Sequence, residues 1–553
     1  MVALSFFCLL DLAKLPLNHF YTMRKAFLFM CLAISAVGQT SNLPLIIIET
    51  GGLEIQDEPK IPAQMKIINN EPGRMNNLKD SPEFEGRIGI EFRGSSSQSF
   101  PKKPYGLETW DENNMDLDTT LFGWPSESDW ILFASFNEKS LMHNILTMRL
   151  AEQMGLYASR TKYVELYLNG SYEGVYVFME KIKRDKGRVD IAKLKPDEES
   201  GEDLTGGYII KIDKGTGANK GSWFSEFSNS SPGTKSTEFF YEYPKKATAI
   251  QQDYIKTFVG DFEKALSSNE FTDSLKGYQQ YIDMESFVLL TILNEVSKNV
   301  DGYRISTYLY KDKGDKLKMG PPWDYDISYG NANYCNGNSF RGFGYDFNQI
   351  CSDHYWLVPF WWERFLADVN FIASFRKTYD DLRTNGVLRD SEILGLVDGL
   401  ASELQTAQER NFTRWSILGR YIWPQPEPFA SSWQGEVAEL KAWIPERLRW
   451  LDDNIPRELQ VLATEESLNF DVKAYPNPFL ETLSLQIDVL EVGEAQVTLT
   501  DLMGREIVNR TYSVREGRNQ LNIKFPENQS SQTIQLLKVR IGDKQMVQKV
   551  IRR

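Results

Sequence analysis

Histidine is nearly missing from this chain: His19, His143 and His354 are the three copies in 553 residues. Zinc sites built on several imidazoles are thereby excluded, and a Ser-His-Asp hydrolase would have to rest on one of these three. Cysteine is almost as scarce, with Cys8, Cys31, Cys335 and Cys351. Basic side chains are outnumbered 62 to 76 by acidic ones, leaving a formal net charge of −14. Binding a nucleic acid requires clustered Lys and Arg against phosphate, so no nucleic-acid partner is expected. What is abundant is aromatic: 13% of residues, with 13 Trp and 25 Tyr. Disordered chains carry few aromatics, so this one folds. At about 150 residues per domain its length suggests three or four units.

The N-terminus reads as an export signal. Met23-Arg24-Lys25 is a basic start, Ala26 to Val37 an apolar core of twelve residues, and Ala36-Val37-Gly38 supplies small residues before Gln39. The core is shorter than the roughly 20 residues of a membrane span, and no other segment approaches that length, so no transmembrane anchor is expected. Residues 1–38 are therefore an upstream segment and signal peptide, with Met23 the better start. Cleavage would leave Cys335 and Cys351, either as two thiols or, in an oxidising compartment, as a disulfide.

From Leu43 to about Tyr243 the pattern is strand-rich. Leu45-Ile46-Ile47-Ile48 is a continuous apolar run, and Ile88, Ile90 and Phe92 alternate with Gly89 and Glu91. Val164–Leu168 and Val175–Phe178 flank Asn169-Gly170, a hairpin signal, and Tyr208–Ile212 follows. Lys139 to Met154 has helical spacing within this region. Beyond Ala249, helices are predicted over 250–268, 282–298, 358–384, 391–414 and 433–451, with Pro445 a potential kink in the last. Ser228 to Ser236 reads as a surface loop. A linker at 457–470 then leads to short alternating strands, a small β-sandwich at 471–553.

One stretch places acids where chemistry can use them. Thr307 and its neighbours from Ile305 to Tyr310 form a predicted strand, Lys311 to Asp315 a polar turn, and Lys316 to Met319 a returning strand. A hairpin brings its outer ends together, so Asp301 before it and Asp324 after it should face one site. Phosphoryl transfer needs two such acids, one to orient or deprotonate a hydroxyl and one to hold Mg²⁺ against phosphates. An arbitrary Asp pair more often caps turns; Trp323 and Tyr325 beside Asp324 favour a shaped pocket. Earlier, Glu91-Phe92-Arg93-Gly94-Ser95-Ser96-Ser97 places a Gly and three Ser after a strand, where backbone amides can cradle phosphate, and Lys102-Lys103 follow. This is neither a Walker loop nor a GxGxxG loop.

Arg93-Gly94-Ser95-Ser96-Ser97 with Phe100-Pro101-Lys102-Lys103-Pro104-Tyr105, then Asp129-Trp130-Ile131-Leu132, Glu138-Lys139-Ser140-Leu141, Gly174-Val175-Tyr176 and Pro322-Trp323-Asp324-Tyr325-Asp326, together resemble the CotH kinase family. The resemblance spans about 43–456 and implies an α+β fold: an atypical protein-kinase-like domain of two lobes, a strand-rich N-lobe and a helical C-lobe. By it, Asp301 matches the catalytic-loop Asp and Asp324 the metal-binding Asp, with Asp326 and Asn299 as further metal candidates. Lys103 matches the nucleotide-phosphate Lys, Lys102 is the competing register, and Arg93 and Glu180 are further nucleotide-side candidates. Kinase catalytic loops supply an Asn about five residues after the Asp; here that position is Ser306. Glu138 and His143 also depart from the family pattern of Asp and Arg. In the tail, Ala474-Tyr475-Pro476-Asn477-Pro478-Phe479, Val497 to Arg505 and the end Lys549-Val550-Ile551-Arg552-Arg553 resemble a type IX secretion (Por) sorting domain of Bacteroidota.

The expected function is thus a secreted kinase that uses ATP with Mg²⁺ or Mn²⁺ and phosphorylates a Ser or Thr hydroxyl of a surface or extracellular protein. The alternative is a kinase-fold surface or adhesion protein without turnover, since ATP is scarce outside the cell. A third reading is a Ca²⁺-dependent or carbohydrate-binding surface protein using Asp324 and Asp326.

Overall fold

A computed structural model of the protein describes residues 40–215, 221–228, 236–456, 470–489, 492–501, 506–525, 533–542 and 544–552. The expected signal peptide, and most of the expected linker and of the expected 228–236 loop, lie outside these. The chain divides into two compact units, up to Pro456 and from Arg457.

In the first unit seven strands close into a barrel. Their spatial order is Leu45–Glu49, Ile61–Ile68, Phe84–Phe92, Tyr105–Trp110, Asp129–Phe133, Ser171–Glu180 and Thr161–Leu168. Neighbours are antiparallel except at the closure, where Leu45 pairs in parallel with Glu165. Closure explains the apolar runs. Along Val175–Met179, Tyr176 and Phe178 fill the barrel with Trp130 and Leu132, while Val175, Val177 and Met179 pack outward on the helices. Both faces are buried, so the sequence shows a run rather than alternation. The expected hairpin turn is present, with Asn169 (φ 49°) and Gly170 (φ 76°) both left-handed, as a two-residue turn requires.

A second sheet of five strands runs Ser222–Ser228, Ser236–Tyr243, Tyr208–Ile212, Thr307–Lys311 and Leu317–Met319. The hairpin 307–319, from the expected helical half of the chain, completes a sheet begun by strands from the other half, so strands are not confined to the expected strand-rich part. Tyr208–Ile212 is central, and its buried residues need ladders on both edges; Tyr208 pairs with Lys311 and Ile212 with Thr307 on one of them. The sheets of this unit are thus a closed barrel and a second, five-stranded sheet.

The helices follow the periodicity closely. Asp283 caps Met284–Ser297, accepting from the Ser286 amide at 2.8 Å, and this helix is buried along most of its length. The expected 358–384 helix is two, Trp361–Phe365 and Val369–Thr384, and 391–414 is likewise Asp390–Leu404 and Ala407–Arg414. Trp433–Asn454 continues through Pro445, with Leu440, Ile444, Leu448 and Leu451 in the core. Lys139–Ser140 belong to a loop instead, and the helix starts at His143, whose amide donates to the Glu138 carboxylate at 3.2 Å. Cys335 and Cys351 form a disulfide, with Cα atoms 5.7 Å apart.

The second unit has a three-stranded and a four-stranded antiparallel sheet sharing one core. Thr482–Val489 alternates strictly, with Leu483, Leu485, Ile487 and Val489 inward. Among the described residues no helix is long and apolar enough to cross a membrane.

Candidate active site

The loop that follows the helix Met284–Ser297 leaves it through Lys298, in the left-handed region (φ 45°). It is stitched to the loop after the hairpin: the Val300 amide donates to the Ile327 carbonyl at 3.1 Å and the Tyr329 amide to the Ser297 carbonyl at 2.7 Å. Asp301, Asp324 and Asp326 therefore line one cleft of about 440 Å³. Non-glycine residues with positive φ gather here, at Tyr303, Ser306, Asp324 (64°) and Tyr329. Such backbone is costly and persists where the surroundings over-determine it, a pattern associated with functional sites.

The three acids differ in their partners. Asp301 accepts from Arg304 at 2.6 Å, and Asp326 from the Asn137 amide at 2.6 Å. No hydrogen bond or ion pair is found for the Asp324 carboxylate among the described residues. Burial and the neighbouring carboxylates Asp326 and Asp301 raise the Asp324 pKa well above the usual range. Burial likewise pushes Asp326 up to about 6, against the opposing Asn137 bond. Two hard-oxygen acids that repel each other, one without a donor, fit a small divalent cation that keeps other ligands from phosphate or water. Among the described residues no group of three or more His, Cys, Asp or Glu can hold a metal alone.

The cleft's cations, a basic wall of Arg93, Lys211 and Lys214, share the lining with Asp57, Glu58, Glu91 and Asp213. Arg93 stands 5.4 Å from the Trp323 ring centroid; burial lowers its pKa while Tyr308 and Asp324 favour its charge. Lys211 pairs with Asp213 at 3.0 Å and Glu242 at 3.7 Å. Burial alone would discharge it, yet Tyr308, Asp213 and Glu242 raise its pKa overall. Lys214 also lines the cleft, with the loop Gly94–Ser97. Gly94 (φ 91°) admits no side chain, because a Cβ there would meet the Ser97 hydroxyl at 2.1 Å. Trp423, 43% exposed and stacked on Tyr334, completes the lining.

The profile of the CotH kinase protein family matches residues 90–451, and that of the secretion system C-terminal sorting domain matches 473–553. The chain belongs to the CotH kinase protein family. The CotH domain is 24% identical over 303 residues to the inner spore coat protein H of Bacillus subtilis (strain 168), covering 52% of this chain and 70% of that protein. Two solved β-glucosidases from Listeria innocua, one a mutant with laminaribiose and one with glucose, match at 13% and 12% identity with a TM-score of 0.12. Each match covers 15% of this chain and 16% of theirs, too little to bear on the fold. The sorting tail marks the chain for handling by type IX secretion machinery and delivery to the cell surface or extracellular space.

Within the CotH domain, Asp301, Asp324, Asp326 and Arg93 share the cleft, whereas four other expected site residues do not line it. Lys102 is buried, donating to the Val175 carbonyl at 2.5 Å and to Asn411 at 3.1 Å, because the strand start turns it into the core. Burial lowers its pKa to about 7. Lys103 donates to the Gln98 carbonyl at 2.5 Å, which closes its own loop. Glu180 alternates with Met179, so while Met179 reaches the cleft, Glu180 points the other way and pairs with Arg160 at 2.8 Å. Asn299 is a strut rather than a free ligand: its Oδ1 accepts from the Asp301 amide at 3.1 Å and its Nδ2 donates to the Asp324 carbonyl at 3.3 Å. Sequence reasoning missed Lys211, Asp213, Lys214, Asn137, Asn144 and Trp423. The one signal for Lys211 was its place as the sole charge in the apolar run Tyr208–Ile212.

Proposed function

We propose that this chain is a secreted kinase that transfers the γ-phosphate of ATP to a Ser or Thr hydroxyl of a surface or extracellular protein. The observation that carries the reading is the unpartnered Asp324 carboxylate beside Asp326, across one cleft from Arg93 and Lys211. Asp324 and Asp326 would hold Mg²⁺ or Mn²⁺, which supplies neutralising charge to the phosphates. Arg93 and Lys211 attract the phosphate oxygens, and the Gly94–Ser97 backbone offers a cradle without a side chain in its way. Asp301, held by Arg304, orients the acceptor hydroxyl and takes its proton as the new O–P bond forms. The bond from the γ-phosphorus to the bridging oxygen breaks, and ADP leaves.

The test is a thermal shift of the full mature chain with ATP and Mg²⁺ or Mn²⁺, beside transfer of labelled γ-phosphate. A ligand at 100 times its Kd that binds only the folded state adds about 2.7 kcal/mol. A shift and transfer in wild type, both absent in Asp324→Ala, support the reading. No shift with either metal turns it toward a surface-binding protein on the same scaffold, for which Ser306 in place of an amide ligand is the supporting observation.

A further inference from the structure

The loop 298–304 that carries Asp301 is gripped at both ends by one other stretch of chain, residues 334–356, of which 335–351 are closed by the Cys335–Cys351 disulfide. At its start, the buried Lys298 ammonium donates to the carbonyls of Asn336 (2.9 Å), Ser339 (2.8 Å) and Arg341. At its end, the Arg304 guanidinium, 1% exposed, lies 4.0 Å from the Phe347 ring centroid. Its Nη1 donates to His354 Nδ1 and to the Trp356 carbonyl, both at 3.2 Å. Its Nη2 holds Asp301 at 2.6 Å and its Nε the Val300 carbonyl at 2.8 Å. Arg304 also hydrogen-bonds Tyr334, just before the disulfide, while His354 and Trp356 lie just past it. That segment has little regular structure of its own: the helix Phe347–Ile350 is one turn, and Cys335 and Asn336 are both at positive φ. Its shape thus depends on side-chain contacts and on the covalent cross-link, which limits how far the two ends can separate.

We propose that Arg304 is the positioning residue for Asp301, and that the segment 334–356, cross-linked within itself by Cys335–Cys351, is the brace that holds Arg304 and Lys298 in place. The inference rests on the reading of Asp301 as the group that orients the acceptor hydroxyl. A carboxylate displaced by as little as 1 Å loses rate without losing nucleotide affinity, because it acts on the attacking oxygen and not on the phosphates. Two cations on either side of one loop, both anchored in one cross-linked segment, make such a displacement the expected result of loosening the brace.

The experiment measures ATP turnover, with water or protein as acceptor, in the full mature chain, as kcat and KM for ATP together with Tm. Five samples are compared: oxidised wild type, wild type reduced with a phosphine, Arg304→Met, Arg304→Lys and Asp301→Asn. Arg304→Met is expected to lower kcat at least tenfold with KM for ATP within about twofold, and Arg304→Lys to recover part of it. Reduction should lower kcat in the same way, with KM unchanged. Should Asp301→Asn abolish turnover while Arg304→Met and the reduced protein keep kcat within twofold, the brace is overturned and the function reading stands. A parallel rise in KM and collapse of Tm in Arg304→Met and on reduction also overturns it, since that is the signature of a merely structural cation. Absence of turnover in oxidised wild type overturns the function reading and the brace with it.

Discussion

The acids Asp301, Asp324 and Asp326 of the cleft come from one stretch of chain, whereas its cations are gathered from far apart in sequence, with Arg93 just past a barrel strand, Lys211 on the second sheet and Lys214 just past that strand. The two walls also differ in how they are satisfied. Lys211 is paired with Asp213 and Glu242, and Arg93 stacks on Trp323, but among the described residues the Asp324 carboxylate has no hydrogen bond or ion pair, and the attraction of Arg93 is outweighed by burial and by Asp326 and Asp301. A wall that is complete can be a scaffold. A wall left with uncompensated buried charge is strained unless something binds there.

The largest effect should come from breaking the acidic wall. Asp324→Ala is expected to abolish the thermal shift with ATP and metal while leaving the ligand-free Tm nearly unchanged, because no bond is lost and a repulsion is relieved. A large drop in ligand-free Tm would instead assign Asp324 a structural role. On the basic wall, Arg93→Met should raise the Kd for ATP–Mg²⁺ about 10- to 100-fold, since a hydrogen bond to a charged group contributes roughly 1.5–3 kcal/mol; calorimetric titration reads it.

A smaller effect separates the walls by pH. With its pKa pushed up to about 6 in the fold from an ordinary 3.8, Asp326 binds a proton more readily folded than unfolded. Stability in chelator-treated protein is therefore favoured at low pH and lost as pH rises from about 4 through 6. Denaturant midpoints measured across that window should show this component in wild type and lack it in Asp326→Asn. The smallest effect is expected at Lys102. Its contacts are all in the core, so Lys102→Met should leave the Kd for ATP–Mg²⁺ within twofold; a change as large as that of Arg93→Met would return Lys102 to the cleft.

The contrast between the walls also explains what was legible. Asp301 and Asp324 flank a hairpin, and a hairpin is a local object whose ends meet whatever the rest of the chain does. Lys211 reaches the cleft only because Tyr208–Ile212 took Thr307–Lys311 as its neighbour, a pairing across about a hundred residues that no local pattern announces. Lys102 and Lys103 show a related effect: adjacent to the Gly-Ser loop in sequence, they face other ways in space. Glu180 lies one residue from Met179, which lines the cleft, and in a strand the next side chain looks to the opposite face.

Local sequence by itself determined several of the strands, most of the helical spans, the Asn169-Gly170 turn, the acids on either side of the hairpin and the motifs of both the CotH domain and the sorting tail. Each of these depends on residues within one element or on a motif read in order. Only the tertiary structure decided that seven strands close into a barrel, that a hairpin from the helical half completes the second sheet, and which cations face the acids. Those outcomes depend on which faces are buried against which, and burial is a property of the packed chain, where strands distant in sequence share one apolar core.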